Sequence, residues 1–581
     1  LWFGVTPASI STAADSVYVG INAGADATTG DYNIGVGRRA LQNSTTGERN
    51  TAIGFSASRY NTTGSYNVAI GMEALRNTIG HTYNVAIGSY SMLSVGGNVN
   101  GNVAVGAFSL YYPSGNYNTA IGYNAIKGAS AGTVTAYGNV GIGREVFQGI
   151  TTGYNNVAVG YQTGYNITTG VQNVIMGAYA GESVTTAQRN ILIGYYAGGS
   201  GRTDANNGIY IGGYAGQQSN SAGTIAIGHN ASYYVDGDYN VFIGYAAGTG
   251  DATTTTAYDN VGIGKYASLA ISSGHSNVTL GVSAGQTLTT GYYNTYVGKS
   301  AGNGGTTTHS NVAVGLNALS SVHGASNVAI GRSALSNTLG ANQVAVGYAA
   351  LESSTSGEGN TAVGYYALQA NTTGNYNTAM GHQALTANVH GDYNTAIGHK
   401  ALYTYAPADG AGYSTAVGTQ ALYSTTTGIH NTAVGALAGY DLTTGQYNVL
   451  MGVSAGANIT GSEQNVILGA YAGRMLQGSK RLIAIGYEAA YMSPSGYQVA
   501  IGYGALFSPT TSTENIAIGT DALRGAASST AQYNIAIGNY ALDAVTNALY
   551  NVSIGRESLS TNTTGDSNIA IGYQAGYNNT T

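Results

Sequence analysis

Nine histidines, 24 acidic residues and no cysteine are what this 581-residue chain offers for metal or acid–base chemistry. The histidines, among them His81, His229, His275 and His309, are scattered, and no pair has the spacing of helical metal ligands. Without cysteine there is no thiolate to complete a zinc site and no disulfide. The densest acidic spot is Asp236-Gly237-Asp238. It does not recur at a fixed interval, as a calcium-loaded β-roll requires. That leaves a single bound ion or a plain turn. Gly35-Val36-Gly37-Arg38-Arg39-Ala40 superficially matches a dinucleotide fingerprint, but its glycines follow a longer period of their own. Serine, threonine and aspartate are abundant, yet no cluster stands apart as a catalytic site would. The expectation is no enzyme, no cofactor and no metal.

The 49 tyrosines are the other chemical resource. Many stand just before an asparagine (Tyr66, Tyr117, Tyr376, Tyr393) or just after a glycine (Tyr123, Tyr161, Tyr195). Ring packing in columns is their plain role. Exposed rings beside Asn and Thr can also hold sugars, which makes Tyr66, Tyr117, Tyr123, Tyr376 and Tyr393 candidate surface-binding residues. Sequons such as Asn61-Thr62-Thr63 and Asn371-Thr372-Thr373 are expected by chance in so Asn- and Thr-rich a chain.

One phrase must position all of these residues. Asn67-Val68-Ala69-Ile70-Gly71 returns, with substitutions, in 33 copies from residues 16–20 to residues 568–572. Gly20, Gly37, Gly54, Gly71 and Gly88 are 17 residues apart. A fixed period dictates the architecture before any local feature does. The residue before the closing glycine is Val, Ile, Leu or Met in every copy, and the one three before it is Val, Ile or Thr. Such residues suit a packed strand. Alternation then puts Val68 and Ile70 on one face, with Asn67, Ala69 and Gly71 on the other. The opening residue is usually Asn, as at Asn67, Asn84, Asn377 and Asn394, with Ser16, Gln343, Ser414 and Gln498 among the exceptions. Stacked coil on coil, these amides form a ladder. After the glycine come a small residue (Ala40, Ala74), then Leu or Gly (Leu75, Gly181), then a polar turn such as Thr62-Thr63-Gly64. Turn glycine there supplies a positive φ. The coil thus reads as strand, bend, short second strand and turn. The predicted fold is all-β, a parallel β-solenoid (β-roll) of about 33 coils, with Asn67, Val68, Ala69, Ile70, Gly71, Asn84, Ile87, Gly88, Asn377, Gly381, Asn394, Ile397 and Gly398 as structural repeat residues.

Composition excludes other classes. There are 90 glycines but no three-residue glycine period, so collagen is out. Charged residues are 7% and hydrophobic ones 43%, strictly placed, so the chain is not disordered. A net charge of −6 and no basic stripe exclude nucleic acid as a partner. No apolar run is long enough for a membrane span. Residues 1–15, with Trp2 and Phe3, read as an N-terminal cap or a joint to an upstream domain. Residues 16–572 read as a continuous array and 573–581 as a truncated final turn, so both ends look like cuts through a longer protein. Four coils are longer, those closing at Gly143, Gly264, Gly418 and Gly538, and their extra residues, such as 129–132 and 406–410, must bulge outward.

Copies such as Asn67-Val68-Ala69-Ile70-Gly71 followed by Ala74-Leu75 resemble the head repeat of trimeric autotransporter adhesins of the YadA type. The Ser that follows Asn in that family's motif is absent here, and the coil is longer. The longer form, as in residues 367–381, is similar to repeats of bacteriophage tail fibres. The resemblance covers about 95% of the chain. It implies a left-handed parallel β-roll, three chains side by side, on a virion or cell surface. At about 4.8 Å per coil the array would make a rod of about 160 Å. The functional expectation is an extracellular homotrimeric fibre shaft, of a bacteriophage tail or side fibre contributing to host attachment. The alternatives are a bacterial adhesin head and, with least support, a glycan-degrading tailspike, which would need paired carboxylates in a cleft. A cell-surface glycan or protein is the expected receptor. Volume places Val68 and Ile70 inside the coil. It leaves Ala69 and Gly71 as an outer apolar stripe at which the chains meet.

Overall fold

A short strand forms in every copy because its β-branched first residue and apolar third residue suit extended backbone. The closing glycine ends it. The computed structural model describes residues 2–3, 14–77, 79–93, 99–112, 115–128, 135–199, 204–251, 255–476, 478–492, 496–508, 513–525 and 529–580. Contacts divide the chain into two compact units, Leu1–Tyr293 and Asn294–Thr581. In the first, three-residue strands run from Val17–Val19 to Val278–Leu280, preceded by the short strand Trp2–Phe3. In the second they run from Thr295–Val297 to Ile569–Ile571. There is one strand for each of the 33 copies, and no helix among the described residues. Within each unit the three-residue strands pair in parallel, in register, with the same strand of the next coil: Val68 lies opposite Thr51 and Val85, Ala69 opposite Ala52 and Ala86. Each unit is a parallel β-solenoid.

Among the described residues the expected second strand is absent. After Gly71 the chain runs through successive turns, with φ of +130° at Gly71, +57° at Glu73 and +50° at Leu75. Left-handed backbone costs a non-glycine residue roughly 1–2 kcal/mol. Hydrogen bonds to both neighbouring coils offset it. Glu73 N–H donates to Phe55 O at 2.8 Å and Leu75 N–H to Ser91 O at 2.9 Å. Gly71 has no alternative, since a Cβ there would lie 2.7 Å from the Gly88 carbonyl. The Thr-Thr-Gly turn holds glycine for a different reason from the one expected. Gly47 does not have positive φ. Its missing Cβ would sit 2.3 Å from Gly64 O, because three successive N–H groups, of Thr45, Thr46 and Gly47, converge on Thr62 O of the next coil. Of the long coils, residues 406–410 behave as expected, with Ala408, Asp409 and Gly410 exposed. Residues 129–134, 252–254 and 526–528 lie outside the described residues, as does most of segment 1–15.

The strand faces are the reverse of the volume argument. Ala69 and its counterparts Ala52, Ala86, Ala379 and Ala396 are fully buried, whereas Val68 and Ile70 are only half-buried and Ile87 and Ile397 are exposed. The interior is filled by alanine from the strand, Ala74 and Leu75 from the turn, and the asparagine. The lumen enclosed by so short a coil admits no two bulky side chains per strand.

That lumen explains a pairing across the chain. Where the middle strand residue is large, the position four after the closing glycine is glycine. The pairs are Tyr18 with Gly24, Ile175 with Gly181, Leu192 with Gly198, Tyr210 with Gly216, Phe242 with Gly248, Thr279 with Gly285, Tyr296 with Gly302, Leu450 with Gly456 and Ile467 with Gly473. A Cβ on Gly216 would meet the Tyr210 ring at 2.1 Å. The alternative filling is Ala with Leu, as in Ala69 and Leu75. Ala69→Ile alone is expected to cost about 1–3 kcal/mol by overpacking, and Leu75→Gly alone about 2–5 kcal/mol by cavity formation. The double variant should lose less than Leu75→Gly, with a correspondingly higher Tm. Additive losses in a double-mutant cycle would refute the shared lumen.

Candidate functional site

Asparagine at the strand start is the centre of the coil's polar structure. Asn67 Nδ2 donates to Asn50 Oδ1 at 3.0 Å and to His81 O at 2.7 Å. Its Oδ1 accepts both Asn84 N–H at 3.0 Å and Asn84 Nδ2 at 3.1 Å. The same links join Asn377 to Asn394 at 2.9 and 3.0 Å. Every one of these amides is buried. Only a side chain with a carbonyl and two N–H groups at this reach can serve all four contacts. At Gly208, Thr224 and Ser414, where a smaller residue replaces asparagine, a buried tyrosine stands nearby. Tyr210 OH bonds Ser221 in the stretch between Gly208 and Thr224, and Tyr405 OH lies 3.5 Å from Ser414 Oγ. Burial pushes the Tyr405 phenol up to about 12.

A second ladder lies two residues earlier. There Asp, Asn or Ser accepts a backbone N–H from the preceding coil. Asp392 Oδ1 takes Asn375 N–H at 2.7 Å, Asn375 Oδ1 takes Glu358 N–H at 2.9 Å, and Asn100 Oδ1 takes Thr82 N–H at 2.9 Å. Asp, Asn, Ser or Thr stands six before the closing glycine in 11 of the 33 copies, too few to announce a ladder from the sequence. Asp236 and Asp238 act likewise, accepting Asn220 and Ala222 N–H at 2.8 and 2.7 Å. These carboxylates tie coils together. Among the described residues no group of three or more His, Asp or Glu is placed to hold a metal.

His81 and His323 are buried. His323 Nε2 lies 3.0 Å from Tyr296 OH and 3.2 Å from Thr308 Oγ1. Burial lowers its pKa below the ordinary imidazole value. Others join aromatic stacks. Tyr376, Tyr393, Tyr413, His430 and Tyr447 form one column with centroids 4.9–5.3 Å apart and rings within 18° of parallel.

That column bears on the candidate sugar platforms. Sugars stack on ring faces, but in a column each face is covered by the next ring. Tyr66 is stacked on Tyr83 at 4.9 Å, and Tyr376 and Tyr393 stand in the five-ring column. Tyr117 lies over Gly101, and Tyr123 faces Phe108 and the Arg144 guanidinium. Their edges and hydroxyls remain exposed, and their faces are largely spent.

The broadest surface feature is the outward strand face. Residues 66, 68, 70 and 72 alternate outward as Tyr, Val, Ile and Met, with Tyr66 and Met72 exposed. The two strand positions on this face carry no charge in any of the 33 copies. The sole polar residue they admit is threonine. No protein-family model matches the chain, and no curated protein matches it. Among the described residues no helix is long and apolar enough to cross a membrane.

Proposed function

We propose that this chain is part of the shaft of an extracellular, homotrimeric fibre, of the kind bacteriophages use as tail or side fibres in host attachment. The observation that carries the reading is the uncharged apolar face repeated on every coil. Contiguous apolar surface beyond a few hundred Å² marks an interface. Identical chains bury such a face by cyclic closure. The number three comes from the resemblance to trimeric fibre repeats. The same resemblance favours a bacterial adhesin head as the second reading, through the Asn-Val-Ala-Ile-Gly phrase itself. A receptor, glycan or protein, belongs to this proposal too.

Native mass spectrometry of the purified chain at micromolar concentration is expected to find three times 58.8 kDa. A stable monomer would remove the interface argument, and a stable dimer the fibre assignment. Antibody against the chain should then label virion tails in electron micrographs. Labelling confined to bacterial surfaces would favour the adhesin.

A further inference from the structure

Aromatic columns hide ring faces except where a column ends. One such end lies in the first unit. Tyr179, Tyr196 and Tyr214 form a parallel stack with centroids 4.7 and 5.9 Å apart. The next two rungs of that column are Asn230 and Ala246, both too small to cover a ring. No parallel ring therefore stacks on the next side of Tyr214; the His229 ring meets it edge-on at 5.7 Å, and Tyr214 lines a recess there. Beside it stand Tyr233, 6.4 Å away and tilted 41°, and Tyr234, packed edge-on against Tyr233 at 4.4 Å. His229 and Thr249 complete a recess of about 430 Å³. That volume falls within the range of about 300–1,000 Å³ usual for small-ligand clefts.

The polar groups in the recess suit a neutral, hydroxyl-rich guest. The Asn230 amide and the His229 ring nitrogens make no hydrogen bond among the described residues, so donors and acceptors are available there. Thr249 Oγ1 already donates to Ala246 O at 3.0 Å and retains its acceptor lone pairs. None of the six lining residues is an acid, a lysine or an arginine. Burial raises the pKa of the Tyr233 phenol, so it stays neutral. Two ring walls at an angle and a free amide between them match a pyranose, which has an apolar C–H face and a rim of hydroxyls.

We propose that the recess formed by Tyr214, Asn230, Tyr233 and Tyr234 is a binding subsite for a single neutral hexopyranose unit of a surface glycan. Tyr214, Asn230, Tyr233 and Tyr234 occupy turn positions, and His229, the counterpart of Met72, places the recess at the margin of the outward strand face.

Saturation-transfer NMR on the intact chain tests this with four probes, the methyl glycosides of glucose, galactose, mannose and N-acetylglucosamine. At least one should receive saturation, strongest on the ring C–H protons of one face. Tyr233→Leu keeps bulk and removes the ring. Asn230→Gly keeps the left-handed backbone, φ +58°, and removes the amide. Each should weaken binding at least about tenfold, while Tyr413→Ala, between Tyr393 and His430 in the five-ring column, should leave it unchanged. Circular dichroism of each variant confirms the fold. Absence of transfer to all four probes, or transfer that survives both substitutions, overturns the proposal. So does equal loss in Tyr413→Ala.

Discussion

Asn67→Leu will open the solenoid at its own coil and the next. The substitution removes four hydrogen bonds at once. One of the groups left behind, the buried Asn84 N–H, loses its recorded acceptor. Such a group costs about 1–3 kcal/mol, on top of the other bonds removed. Solenoids unfold by neighbouring repeats and not as one block. Hydrogen exchange by mass spectrometry should show lost protection at residues 64–88, with distant coils of the same unit unchanged. Asn67→Asp should also destabilise, increasingly as pH rises. A protonated carboxyl can still donate one hydrogen bond, whereas the carboxylate faces two acceptors, Asn50 Oδ1 and His81 O. Protection unchanged in both variants would show that the ladder follows the fold without holding it.

Arginine at the outward strand face will separate the chains without unfolding them. Ile53, Ile70 and Ile87 lie on adjacent coils; Ile53 and Ile87 are exposed and Ile70 is half-buried in the single chain. In an isolated chain a charge there meets water and costs little. At an interface between copies, three charges from each chain are brought together without partners, and like-charge juxtaposition costs several kcal/mol. About 4 kcal/mol is a thousandfold weakening of assembly. Ile53→Arg/Ile70→Arg/Ile87→Arg should keep its β-type circular dichroism and run as a monomer in light scattering. Ala69→Arg should instead abolish the local fold, because Ala69 has no exposed surface. An oligomer that survives the triple arginine variant would place the interface elsewhere or remove it.

The contrast between those two substitutions marks where residue patterns stop being informative. Periodicity alone determined that this is a repeat of β-coils, which residue closes each strand, and that the asparagines stack. Those features depend on local backbone preference and on equivalent residues recurring at equal spacing. They hold whichever way the chain curls. The direction of curl belongs to tertiary structure. Val68 and Ile70 are the bulkier pair, and bulk normally goes inside. Closing a coil in 17 residues leaves a lumen that Ala69, Ala74, Leu75 and Asn67 already fill. The turn glycines show the same limit. Gly71 combines positive φ with a crowded neighbour, whereas Gly47 is needed only because Gly64 O approaches it. Nothing in Thr-Thr-Gly distinguishes the two cases. The end of the column at Tyr214 was equally hidden. It exists because Asn230 and Ala246 are the rungs beside it, and only the stacked coils show that rings at this position lie face to face and that Tyr233 and Tyr234 stand beside them. Composition and period determined the kind of element. Closure of the coil decided what faces inward, what faces water and which ring ends a stack, because lumen volume and inter-coil contact arise only between segments brought together in space.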